Sequence, residues 1–84
     1  MIDRSLMYRV LHGLDLCDRT GIRETTLMDE ISLEAPQHLE ASQIREHLTE
    51  AERKGWAEKY KGALGETRWR ILEDGRNAKR DLRS

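Results

Sequence analysis

The chain has 84 residues, with 37% charged and 37% hydrophobic side chains, one proline and a formal net charge of −1. That length has room for one domain with a small core, and the composition fits a solvated helical domain rather than a sandwich, a barrel or a disordered tail. Cys17 is the only cysteine, which excludes an internal disulfide and a cysteine-based zinc site.

The first periodic segment runs from about Asp3 to Asp18. Leu6, Met7, Val10, Leu11, Leu14 and Cys17 recur at three- and four-residue spacing and mark one buried helical face. Asp3 is suited to cap the helix start, and Thr20-Gly21 to stop it. Ile22-Arg23-Glu24 is too short for an independent strand but fits a brief extended piece. A second helix is expected from about Thr26 to Leu33, capped by Thr25 or Thr26, with Leu27, Met28 and Ile31 inward and Pro36 as its stop.

A third helix is expected from about Ala41 to Lys54, with Ile44, Leu48 and Ala51 buried and Gly55 at the C′ position. Beyond Gly55 the period changes to two. Trp56, Glu58 and Tyr60 alternate with Ala57, Lys59 and Lys61, Gly62-Ala63-Leu64-Gly65 makes a flexible tip, and Thr67 to Leu72 returns. This pattern predicts a β-hairpin over about 56–72, with Trp69 and Ile71 on one face and Arg68 and Arg70 on the other. A short polar helix then follows over about 75–82, with Ala78 and Leu82 as its apolar contacts. Phenylalanine is absent, so Trp56 and Trp69 are expected to carry much of the packing.

The net charge conceals an asymmetry. Residues 1–55 carry seven basic and eleven acidic side chains, or −4, whereas residues 56–84 carry eight basic and five acidic, or +3. A phosphate-bearing partner would therefore meet the second part.

Three helices followed by a hairpin, with Leu39, Ile44, Leu48, Ala51 and Gly55-Trp56 in register, resemble the turn, recognition helix and hydrophobic step of winged helix-turn-helix regulators. Arg68-Trp69-Arg70-Ile71-Leu72-Glu73-Asp74-Gly75-Arg76 is similar to their second wing strand running into the last helix. The resemblance covers about residues 22 to 82 and identifies a superfamily rather than one member. It implies an α+β, mostly helical winged helix filling residues 1–84 as a single domain, with double-stranded DNA as partner, in a regulatory or architectural role.

In such proteins the third helix enters the major groove. Its exposed positions here are Ser42, Gln43, Arg45, Glu46 and Thr49, where Gln43 has the chemistry to pair with adenine and Arg45 with guanine. Lys59, Lys61, Arg68 and Arg70 are the wing's phosphate contacts in this reading, and Arg76, Lys79 and Arg80 extend the positive area. If four of these cations neutralised phosphates, log affinity would fall with log salt at a slope of about −3.6. One departure from the pattern matters: Glu46 stands where an arginine is often found, and Glu40, Glu50 and Glu52 add further repulsion towards phosphate.

Alternative readings stand beside these. The third-helix residues also suit a solvated helical face, the basic strand residues also protect a sheet edge from aggregation, and the same scaffold also serves as a protein-docking module without nucleic acid. Leu6, Met7 and Tyr8 suit either a homodimer seam or the core. No catalytic function is expected, because His12, His38 and His47 stand in separate elements and no phosphate loop, nucleophile elbow or metal-ligand spacing is found. No cofactor is implied. The absence of a long apolar run and of an export-type start at Met1-Ile2-Asp3-Arg4 predicts a cytoplasmic protein that does not meet a membrane.

Overall fold

Asp3 caps the first helix as expected: its side chain accepts from the Leu6 amide at 3.0 Å at the start of α1, Arg4–Asp15. The computed structural model describes residues 1–17, 21–35 and 39–83. Seven elements follow one another: α1, strand β1 (Ile22–Arg23), α2 (Glu24–Glu34), α3 (Ala41–Arg53), β2 (Ala57–Lys61), β3 (Thr67–Ile71) and α4 (Glu73–Arg83). Helix α1 stops at Asp15 with Leu16 as its cap, short of the expected end. Asp18, Thr20, Pro36 and His38 lie outside the described residues.

The brief extended piece is a true strand. Ile22 pairs with Trp69 and Arg23 with Arg68, so the hairpin becomes a three-stranded antiparallel sheet in the order β1-β3-β2. This pairing also corrects the start of α2. Arg23 is held extended by the sheet and serves as the cap residue without a side-chain bond, so the helix begins at Glu24 and not at a threonine-capped Thr26. Glu24 instead places a carboxylate at the positive end of the helix. Gly21 makes the approach to β1 feasible: its φ is +71°, and an added Cβ would lie 2.8 Å from the Trp69 carbonyl oxygen and collide with the Tyr60 hydroxyl.

Helix α3 ends in the predicted way. The Trp56 amide donates to the Ala51 carbonyl at 2.9 Å and the Gly55 amide to the Glu52 carbonyl at 3.1 Å, with Gly55 left-handed at φ +77°. These are the two bonds of a Schellman cap, and they turn the chain directly from α3 into β2. The last helix begins two residues before Gly75, because Glu73 and Asp74 form its acidic first turn.

The core lies between the helices and the inner face of the sheet. Leu11 and Leu14 of α1, Leu27 of α2, Ile44 and Leu48 of α3, and Trp69 and Ile71 of β3 are buried there. Trp69 fills its expected role. Trp56 is half-buried against the same core, with the Lys54 ammonium 5.3 Å from its ring centre. Leu6 and Met7 are buried in the core, which gives them a packing role within the chain. Ala78 and Leu82 of α4 pack half-buried onto it.

Candidate nucleic-acid interface

Two features project from this core next to one another: the outer face of α3 and the β2–β3 hairpin, joined by the Schellman turn. With Ile44, His47, Leu48 and Ala51 buried, the 3.6-residue repeat puts Ser42, Arg45, Glu46, Thr49 and Arg53 on one exposed stripe. Gln43 lies at the edge of that stripe. Its Oε1 accepts from the Glu40 amide at 2.8 Å, so this side chain closes the helix start and does not stand free beside Ser42.

The cations of α3 are already engaged. Arg45 lies 3.7 Å from a Glu24 carboxylate oxygen, and Arg53 grips Glu50 with two bonds of 2.7 and 2.8 Å. Glu50 is held below the usual carboxylate range chiefly by the Arg53 hydrogen bonds, and Arg53 is stabilised reciprocally in its charged form. Glu46 pairs with the Met1 amino group.

The hairpin register is symmetric about Leu64: Ala57 faces Ile71, Glu58 faces Arg70, Lys59 faces Trp69, Tyr60 faces Arg68 and Lys61 faces Thr67. Opposite residues share a face, so Arg68 and Arg70 stand on the outer face with Tyr60 and Glu58, as the alternation predicted. Arg70 forms an ion pair with Glu58 and sits 5.6 Å over the Tyr60 ring. Arg68 lies 3.3 Å from Glu66, and the Tyr60 hydroxyl and then that carboxylate hold its guanidinium firmly cationic. Lys59 and Lys61 occupy the other face. Lys59 covers the Trp69 ring at 5.8 Å and Lys61 donates to the Thr67 hydroxyl at 3.3 Å; neither has a carboxylate partner among the described residues.

The glycine-rich tip closes as a hydrogen-bonded turn. The Gly62 amide donates to the Glu66 carbonyl at 2.9 Å, Gly65 to the Gly62 carbonyl at 3.0 Å, and Leu64 to Glu66 Oε1 at 3.0 Å. Glu66 is held below its ordinary range by its own and the Leu64 backbone amides, then by Arg68 and Arg23. The carboxylate partners Glu24, Glu58 and Glu66 were not singled out from the sequence. Counting outward from Leu64 would have paired Glu58 with Arg70.

A bundle of three helices closed by this hairpin, with β1 on the third sheet position, decides the architecture. The fold is a winged helix. No family model and no curated protein matches the chain. Solved structures do. The PcaV transcriptional regulator of Streptomyces coelicolor, in complex with its natural ligand, superposes with a TM-score of 0.74 at 23% identity, over 90% of this chain and 50% of that one. The F27L variant of S. aureus MepR, bound to an oligodeoxyribonucleotide, gives 0.73 at 14% identity over 93% and 54%. A protein of Ralstonia eutropha JMP134 proposed to bind DNA gives 0.72 at 20% identity over 98% of both chains. The winged helix thus spans about half the length of the PcaV and MepR chains. Among its described residues no cluster of three or more His, Cys, Asp or Glu is placed to hold a metal, and no helix is long and apolar enough to cross a membrane.

Proposed function

We propose that this winged helix binds double-stranded DNA in a regulatory or architectural role, with α3 in the major groove and the wing along the backbone. The observation that carries the reading is the stripe of Ser42, Arg45 and Thr49 lying beside a wing whose Lys59 and Lys61 have no carboxylate partner among the described residues. The likeness to a winged helix seen with an oligodeoxyribonucleotide supports it. Arg45 reads guanine after leaving Glu24, Gln43 reads adenine after leaving the helix cap, and Arg68 and Arg70 reach phosphate by exchanging their carboxylates for it. A two-fold dimer on such a site would set its α3 helices about 34–36 Å apart.

The ion pairs on Arg45, Arg53, Arg68 and Arg70 favour a second reading, a protein-docking module whose cations serve the fold alone. Fluorescence anisotropy of a labelled random-sequence duplex at about 50 and about 200 mM salt separates the two. Two lysine contacts predict a slope of about −1.8, and release of Arg68 and Arg70 steepens it to about −3.6. Unchanged anisotropy at micromolar protein and low salt contradicts the DNA reading.

A further inference from the structure

The hairpin apex carries a side chain that neither the core nor the charged faces use. Leu64 is 84% exposed. Leu16, the cap residue that ends α1, and Leu33 of α2 are exposed too, as single apolar side chains commonly are. Leu64 stands instead at the centre of symmetry of the wing, between Ala63 and Gly65, in a tip without charge from Gly62 to Gly65.

Glu66 holds that apex in place. Its carbonyl takes the Gly62 amide, its carboxylate takes the Leu64 amide, and the same carboxylate is clamped by Arg68 at 3.3 Å and Arg23 at 3.8 Å. Because the turn's backbone is already held, burying the side chain it carries costs little further backbone freedom. The small neighbours keep the tip slender enough to enter a groove about 6 Å wide. Lys59 and Lys61 lie behind it on one face of β2, two cations available to phosphates that border such a groove.

Resting on the DNA reading above, we propose that Leu64 is an apolar wedge that enters the minor groove and selects deformable base steps. Leucine between base pairs partly unstacks them, and pyrimidine–purine steps such as TpA yield most easily. The wing would then contribute sequence preference through deformability, without a hydrogen bond to any base edge. This contribution is apolar, so it leaves the salt slope unchanged.

The test uses the full chain with two short duplexes, one of alternating T and A carrying 2-aminopurine in place of some adenines, the other a stiff A-tract. Wild type is expected to bind the alternating duplex more tightly and to raise 2-aminopurine fluorescence as bases unstack. Leu64→Ala should weaken that binding by about tenfold, or 1.4 kcal/mol, abolish the fluorescence rise, and leave A-tract affinity and the salt slope as they were. The residue is exposed, so unchanged circular dichroism and melting should accompany the variant. Equal binding of wild type and Leu64→Ala to the alternating duplex overturns the wedge while DNA binding stands. If wild type binds neither duplex, the DNA reading fails and the wedge falls with it.

Discussion

The Asp3 amide donates to Nε2 of His47 at 2.9 Å, and Nδ1 of the same ring lies 2.7 Å from the Gln43 carbonyl oxygen. Nε2 accepts, so the proton of the neutral ring is on Nδ1, which donates to Gln43. His47 is 2% exposed. A buried ring thereby ties the start of α1 to the middle of α3, the helix proposed to read DNA. His47→Leu keeps the volume but leaves the Asp3 amide without its acceptor, while the Gln43 carbonyl keeps its backbone bond within α3; this predicts a loss of about 0.5–1.5 kcal/mol in a denaturant melt. An unchanged midpoint would show that the bridge adds nothing to the fold.

Gly75 illustrates two opposed effects in one helix. At an ordinary helical position Gly→Ala stabilises by about 1 kcal/mol. Here the new Cβ would collide with the Trp56 carbonyl oxygen and lie 2.8 Å from Ile71 Cγ1. Backbone cannot yield as a flexible side chain does, so Gly75→Ala is expected to cost about 1–3 kcal/mol net. At about 4–8 °C per kcal/mol for a domain of this size, the drop in melting temperature is easily measured by circular dichroism. A rise in melting temperature would mean that α4 shifts without cost.

Asp15 binds α1 to α4 through Lys79 at 2.8 Å and Arg76 at 3.1 Å. Its carboxyl is held below its ordinary 3.8, first by the Lys79 hydrogen bond and also by Arg76, against a smaller opposing effect of burial. A depressed carboxylate stabilises the fold above its unfolded value, and that contribution disappears as pH falls from about 3.8 through the lower folded value. Asp15→Asn should therefore cost about 0.5–1 kcal/mol at neutral pH and almost nothing in strong acid. A deficit of the same size at both ends of an acid titration would assign the effect to packing rather than charge.

Most of the fold was legible in the sequence because its signals are local. Leu6 to Leu14 repeat at helical spacing, Gly55 follows Arg53-Lys54 as a helix stop, and Trp69 and Ile71 alternate with Arg68 and Arg70. The features that sequence reading missed depend on remote partners. Ile22-Arg23 became a strand only because β3 lies beside it, and that pairing moved the start of α2 to Glu24. His47 was one of three scattered histidines until α1 brought Asp3 against it. The candidate interface was legible by residue type but not by charge. Arg45, Arg68 and Arg70 each meet a carboxylate whose position required the helix packing or the hairpin register.

That register assigns unequal parts to the wing cations. Lys59→Ala with Lys61→Ala removes two cations that no carboxylate of the described residues holds, and should flatten the salt slope of duplex binding by about 1.8. Arg68→Ala with Arg70→Ala should change the slope less per residue, because each arginine must give up Glu66 or Glu58 before it meets phosphate. Parallel anisotropy titrations of the two double variants decide the order. Equal flattening would mean that the ion pairs dissolve freely on DNA.

If α3 and the wing together form the DNA face, amide chemical-shift mapping will locate it residue by residue. The labelled chain would be titrated with a duplex that it binds at low salt. The largest shifts should fall on Ser42, Gln43, Arg45 and Thr49 and on the β2–β3 hairpin around Lys59, Lys61 and Leu64, with α4 little changed. Shifts concentrated on α1 and α4, or none at saturating duplex, would contradict it.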